Sequence, residues 1–101
     1  MGYLHYGPSQ IFRFDDRALT HLRTVIMTKL LQQESLLFTW NDAGIQRSIW
    51  LQPAISLQFE FEAADTPTLN RAWLEELTAT ANAPAGLRLL PEPPEPEQPG
   101  T

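Results

Sequence analysis

The chain contains no cysteine, which excludes disulfides, thiol nucleophiles and cysteine-ligated zinc. Lysine occurs once, at Lys29, so no lysine-rich patch exists to face phosphates. The two histidines, His5 and His21, lie on different segments, and a metal centre needs three or four converging ligands. The five glycines form neither a G-x-G-x-x-G nor a G-x-x-x-x-G-K-[ST] phosphate loop, and no serine sits in a G-x-S-x-G elbow. We therefore assign no catalytic, cofactor-binding or metal-binding residue and expect no cofactor. Apolar runs fall far short of the roughly 20 residues a membrane helix requires. The start, Met1 to Gly7, has no basic region ahead of an apolar stretch, and Tyr6 stands where a myristoylation site needs Ser or Thr. A cytoplasmic chain with no membrane attachment is expected.

What is present fits one small domain. Hydrophobic residues make up 43% of 101 residues, enough for a single core. The net charge of −5 is uneven. Residues 91–101 read PEPPEPEQPGT, with no apolar side chain to bury, and predict a disordered Pro/Glu-rich tail following a domain of residues 1–90. Without Glu92, Glu95 and Glu97 the body is nearly balanced. Its basic residues, Arg13, Arg17, Arg23, Lys29, Arg47, Arg71 and Arg88, are scattered, so nucleic acid is not the expected partner.

Periodicity supplies the architecture. Short alternating segments at Gly2–Tyr6 and Ile11–Phe14, separated by Gly7-Pro8-Ser9-Gln10, predict an antiparallel hairpin. Asp15 and Asp16 offer a helix cap. Leu19, Leu22, Ile26 and Leu30 then form an apolar stripe at helical spacing, with Thr20, Arg23, Thr24 and Lys29 off it and able to face solvent, and His21, next to Leu22, at the border between core and surface. Strands follow at Leu36–Trp40 and from Arg47 or Ser48 to Gln52, with Asn41-Asp42-Ala43-Gly44 as a turn after the first. In Ile55–Glu62 strict alternation puts Ile55, Leu57, Phe59 and Phe61 on one face. A loop at Asp65–Thr68 precedes a second helix over Asn70–Ala81, and Leu87–Leu90 suggests a short last strand. The order β-β-α-β-β-β-α-(β) predicts an α+β two-layer sandwich, an antiparallel sheet of five or six strands with both helices on one face.

Such a sheet leaves its second face open. The alternation assigns Ile11, Arg13, Leu37, Thr39, Ser48, Trp50 and Gln52 to it. Either Trp50 tucks under a loop or the C-terminal segment, or it anchors a contact surface, since tryptophan is enriched at interface centres. Sheet edges are commonly paired in dimers, which makes a homodimer the expected partner arrangement, with another protein as the alternative.

Several stretches together, MGYLHYG at the start, FDDRALTHL over Phe14–Leu22, SIWLQP over Ser48–Pro53 and LNRAW over Leu69–Trp73, resemble a family of small uncharacterised actinobacterial proteins. That family is a domain of unknown function of about this length, and the resemblance covers nearly the whole chain up to the tail. It implies no established activity or site residues. Some of its members carry the label ATP-dependent DNA ligase. Those enzymes adenylate the lysine of a K-x-D-G motif, whereas Lys29 is followed by Leu30-Leu31-Gln32 on a helix. The expected function is thus a non-enzymatic, self-associating interaction module. An accessory nucleic-acid or nucleotide protein would need Arg13, Arg47 and a further arginine to converge. A small enzyme or ligand binder would need a concave site lined by His5, Tyr6 or Asn41.

Overall fold

The computed structural model describes residues 1–62 and 68–95. The expected loop at Asp65-Thr66-Pro67 and the tail beyond Glu95 lie outside the described residues. Along the chain run β1 (Gly2–Tyr6), β2 (Gln10–Phe14), α1 (Asp16–Leu31), β3 (Leu36–Asp42), β4 (Ile45–Leu51), β5 (Leu57–Phe61), α2 (Arg71–Ala81) and β6 (Leu87–Arg88). This is an α+β fold in the element order expected, and among the described residues no helix is long and apolar enough to cross a membrane.

The strands do not form one antiparallel sheet. They divide into two sheets of three, ordered β2-β1-β5 and β4-β3-β6. Pro53, which lacks an N–H for a ladder, lies in the connection that carries the chain out of β4. β5 consequently pairs with β1, placing Gly2, Leu4 and Tyr6 opposite Phe61, Phe59 and Leu57. The second sheet is mixed, because β6 joins β3 in parallel through Phe38↔Leu87 and Thr39↔Arg88. Parallel neighbours need a crossover, and α2 lies within it.

Both inner faces look into a single core. On the first sheet the register brings Leu4, Phe12, Phe14, Phe59 and Phe61 to one side. On the second it brings Leu36, Phe38, Ile49, Leu51 and Leu87 together. The sheets meet through aromatic rings. Phe12 stands edge-on to Trp40 at 5.0 Å, and Phe14 lies 6.0 Å from Phe38. Offset and edge-on ring pairs add to the burial energy of each ring.

Helix α1 starts at Asp15, whose side chain accepts the Arg17 and Ala18 backbone N–H groups at 3.2 and 3.4 Å. Its stripe of Leu19, Leu22, Ile26 and Leu30 is buried as the spacing predicts. Three neighbours depart from expectation. Thr20 is buried, its hydroxyl donating to the Asp16 carbonyl at 2.8 Å, the turn-back bond open to a helical threonine. Lys29 is mostly covered, its ammonium bonded to Asn82 and 3.6 Å from Glu34. His21, one position from Leu22, is fully buried because α2 packs over it.

Candidate functional site

The open-face residues occupy two separate surfaces. Ile11 and Arg13 pair with His5 and Tyr3 on the outer side of the first sheet, where His5 Nε2 lies 2.8 Å from a Glu60 oxygen. Leu37, Thr39, Ser48 and Trp50 share the outer side of the second sheet, although Thr39 is buried there between β4 and β6, and Gln52 is exposed just beyond β4. The expected single patch thus splits between the sheets.

The second surface keeps its apolar centre. Leu37 and Trp50 are directly opposed across β3 and β4 and are 36% and 53% exposed. One step along, the Thr39 and Ser48 hydroxyls are 2.8 Å apart and tie the two strands together. Tyr6 fixes this corner from the other sheet by donating its hydroxyl to the Trp50 carbonyl at 2.8 Å. The Trp50 indole itself projects outward. At the hairpin end, Asn41 Oδ1 accepts the Gly44 N–H at 2.9 Å, and the Arg47–Asp42 pair closes at 2.9 Å.

Residues needed for the other readings are not gathered. His5 and Tyr6 alternate on opposite faces of β1, and Asn41 belongs to the β3–β4 hairpin. Arg13 is on the outer face of the first sheet. Arg47 alternates with the outward Ser48 and Gln46 on the second sheet and is held by Asp42. Among the described residues no group of three or more His, Asp or Glu side chains is placed to hold a metal ion.

A second constellation went unread in the sequence. The Pro/Glu run begins as a strap fastened across the ends of both helices. Arg17 grips Glu92 through Nε at 2.7 and 2.9 Å and Nη2 at 2.7 Å, and reaches Glu95 at 3.2 Å. Its Nη1 donates to the Thr68 carbonyl at 2.9 Å, so all three guanidinium nitrogens are engaged. Asn70 caps α2 by accepting the Ala72 and Trp73 N–H groups at 3.0 and 3.4 Å. With its amide nitrogen it donates to Glu92 at 3.0 Å and to the Pro93 carbonyl at 2.8 Å. The Trp73 indole N–H donates to the Leu90 carbonyl at 3.0 Å.

His21 supports this arrangement from below. Its Nδ1–H donates to the Arg17 carbonyl at 2.7 Å, leaving Nε2 to accept the Asn70 N–H at 2.8 Å. The ring lies against Trp73 with centroids 4.6 Å apart. Residues 91–95, expected to belong to a solvated tail, are therefore part of the folded body. Composition hid them because carbonyls and carboxylates hold the strap, not apolar side chains. A surplus of negative charge near the end of the chain, matched by an arginine 75 residues earlier, is the one sequence signal of the clamp.

The bonds from Arg17, and then from Asn70, lower the Glu92 carboxyl from 4.5 to about 2, and the same pairing with Glu92 raises the Arg17 guanidinium. A depressed carboxylate contributes its hold in full above its unfolded value and loses it as pH falls through the folded one. The strap should therefore stay fastened below pH 4.5 and release with a midpoint near 2. The Trp73 indole N–H resonance, followed by NMR on acidification, reports that release. A midpoint at the ordinary carboxylate value would show that the Arg17–Glu92 pair does not form.

A model of the family described as a domain of unknown function (DUF7882) matches residues 1–92, a span that takes in the strap as far as Glu92. No curated protein and no solved structure matches the chain.

Proposed function

Because the chain belongs to the DUF7882 family, whose description assigns no reaction, we propose a role from its surface: a protein-interaction module whose outer β3–β4 face takes a second copy of itself. The observation that carries this reading is Trp50, a large ring 53% exposed on a flat sheet face and directly opposite Leu37. Burying such a ring on association is worth far more than burying a rim side chain, which is why tryptophans recur at interface centres.

Two features favour a second copy as the occupant. Among the described residues β4 pairs with no strand but β3, so its other edge, capped by Tyr6 at the Trp50 carbonyl, is otherwise open to meet the same edge of another molecule. Antiparallel pairing of an edge with itself is isologous and closes at a dimer. Charge points the same way. At a net −5, two copies repel over much of their surface. Leu37, Thr39, Gln46, Ser48 and Trp50 carry no charge, and Arg88, beside Thr39 on β6, is a cation. This face is where like-charged copies approach at least cost.

The test is solution mass by light scattering on the full chain and on Trp50→Ala. The wild type is expected at twice the chain mass and the variant at the chain mass, with an unchanged circular dichroism spectrum. A wild type that stays monomeric at high micromolar concentration overturns the reading.

A further inference from the structure

We propose that the cleft formed by Arg17, Asn70 and Trp73 is a recognition site for an extended, acidic, proline-rich segment of a partner protein, and that the chain's own residues 90–95 occupy it in cis. Complementarity of donors and acceptors is the first ground. Pro91, Pro93 and Pro94 have no N–H, so this segment offers its surroundings chiefly carbonyls and carboxylates. The cleft presents the converse set. Trp73 donates to the Leu90 carbonyl at 3.0 Å, Asn70 to the Pro93 carbonyl at 2.8 Å, and Arg17 forks onto Glu92 at 2.7–2.9 Å. An indole N–H and an amide reading carbonyls, with an arginine reading a carboxylate, is how extended proline-rich and acidic motifs are recognised.

The manner of attachment is the second ground. Beyond Leu89, whose N–H donates to the Thr39 carbonyl at 3.1 Å, the strap is held by side chains of α1 and α2 and their flanks. Pro91, Glu92, Pro94 and Glu95 are exposed and Pro93 is half-buried, so none of them is locked into the core. Arg17 and Glu92 remain 30% and 29% accessible. Another segment can displace the strap without opening the fold.

The cleft also tolerates register. Pro91-Glu92-Pro93 is followed by Pro94-Glu95-Pro96, the same triplet again, and Glu95 already reaches the Arg17 nitrogen that holds Glu92, at 3.2 Å. The floor is rigid meanwhile, since His21 fixes the Asn70 backbone at 2.8 Å and packs on the Trp73 ring. A rigid set of donors facing a replaceable, repeating acceptor motif is what a partner segment of the same chemistry would use.

The probe is a fluorescein-labelled peptide of residues 89–95, Leu-Leu-Pro-Glu-Pro-Pro-Glu, titrated by anisotropy against the full chain. In the wild type the tethered strap competes at an effective concentration near the millimolar range. Glu92→Gln weakens that competitor and leaves the cleft intact, so the peptide should bind this variant about tenfold more tightly than the wild type. Adding Arg17→Lys, which keeps the charge and loses the fork, should remove most of the gain. Equal binding to the wild type and to Glu92→Gln, or no binding to either, overturns the proposal. The same titration on Trp50→Ala separates it from self-association: unchanged affinity supports it, and affinity that follows Trp50 instead of Arg17 overturns it.

Discussion

A Gly86→Ala variant is expected to be about 3 kcal/mol less stable than the wild type, or more, from the joint cost of a left-handed backbone and overpacking. Gly86 has φ +87, a conformation that L side chains rarely adopt, and a Cβ there would run into the Leu37 carbonyl. The two costs arise together because the chain must turn sharply out of α2 and lie flush against β3. Neither can be relieved by moving a flexible side chain, since the obstacle is backbone. Urea unfolding should show a lower midpoint with an unchanged slope. A loss under about 1 kcal/mol would mean that the turn relaxes, contrary to the close approach of β6 and β3.

Asn70→Ala should cost about 2 kcal/mol, from the lost helix cap and an unsatisfied Pro93 carbonyl, and should lower Tm by about 10 °C. Asn70 is 1% exposed and serves both the start of α2 and the strap. Asn70→Asp separates these duties. It keeps the cap acceptor, even improving it at the positive helix end, but turns a carboxylate toward Glu92. The aspartate variant should therefore keep most of its Tm while the Trp73 indole N–H loses its strap-bound environment. If both variants lose stability equally, the strap contributes as much as the cap.

Legibility in the sequence followed apolar patterning closely and failed where polar groups do the holding. Leu19, Leu22, Ile26 and Leu30 announce α1, and Leu57, Phe59 and Phe61 announce β5, because burial of one face leaves a period that can be counted. The outward placement of Trp50 and of Leu37 followed from alternation alone. The pairing of β5 with β1 rather than β4 did not, since alternation states which face a residue takes and not which strand stands beside it. Nor did the clamp. Arg17, Asn70 and Glu92 are individually ordinary polar residues, and only the crossing of α1 and α2 brings them within 2.7–3.0 Å. His21 shows the same limit. Its neighbours in sequence place it at the border between core and surface on α1, yet α2 covers it and both its nitrogens find partners.

The parallel pairing of Phe38 with Leu87 also bears on the order in which the molecule can form. A contact between residues so distant along the chain cannot be made until Leu87 has been added, and the entropy of closing that long loop must be met before the contact returns anything. A growing polypeptide that has reached only α2 has a bare β3 edge and no carbonyl for the Trp73 indole. Without that edge strand, the β2-β1-β5 sheet has an incomplete neighbour to pack on. Closure of the second sheet is accordingly a late event, in which Leu87 and Arg88 turn an incomplete assembly into a closed one.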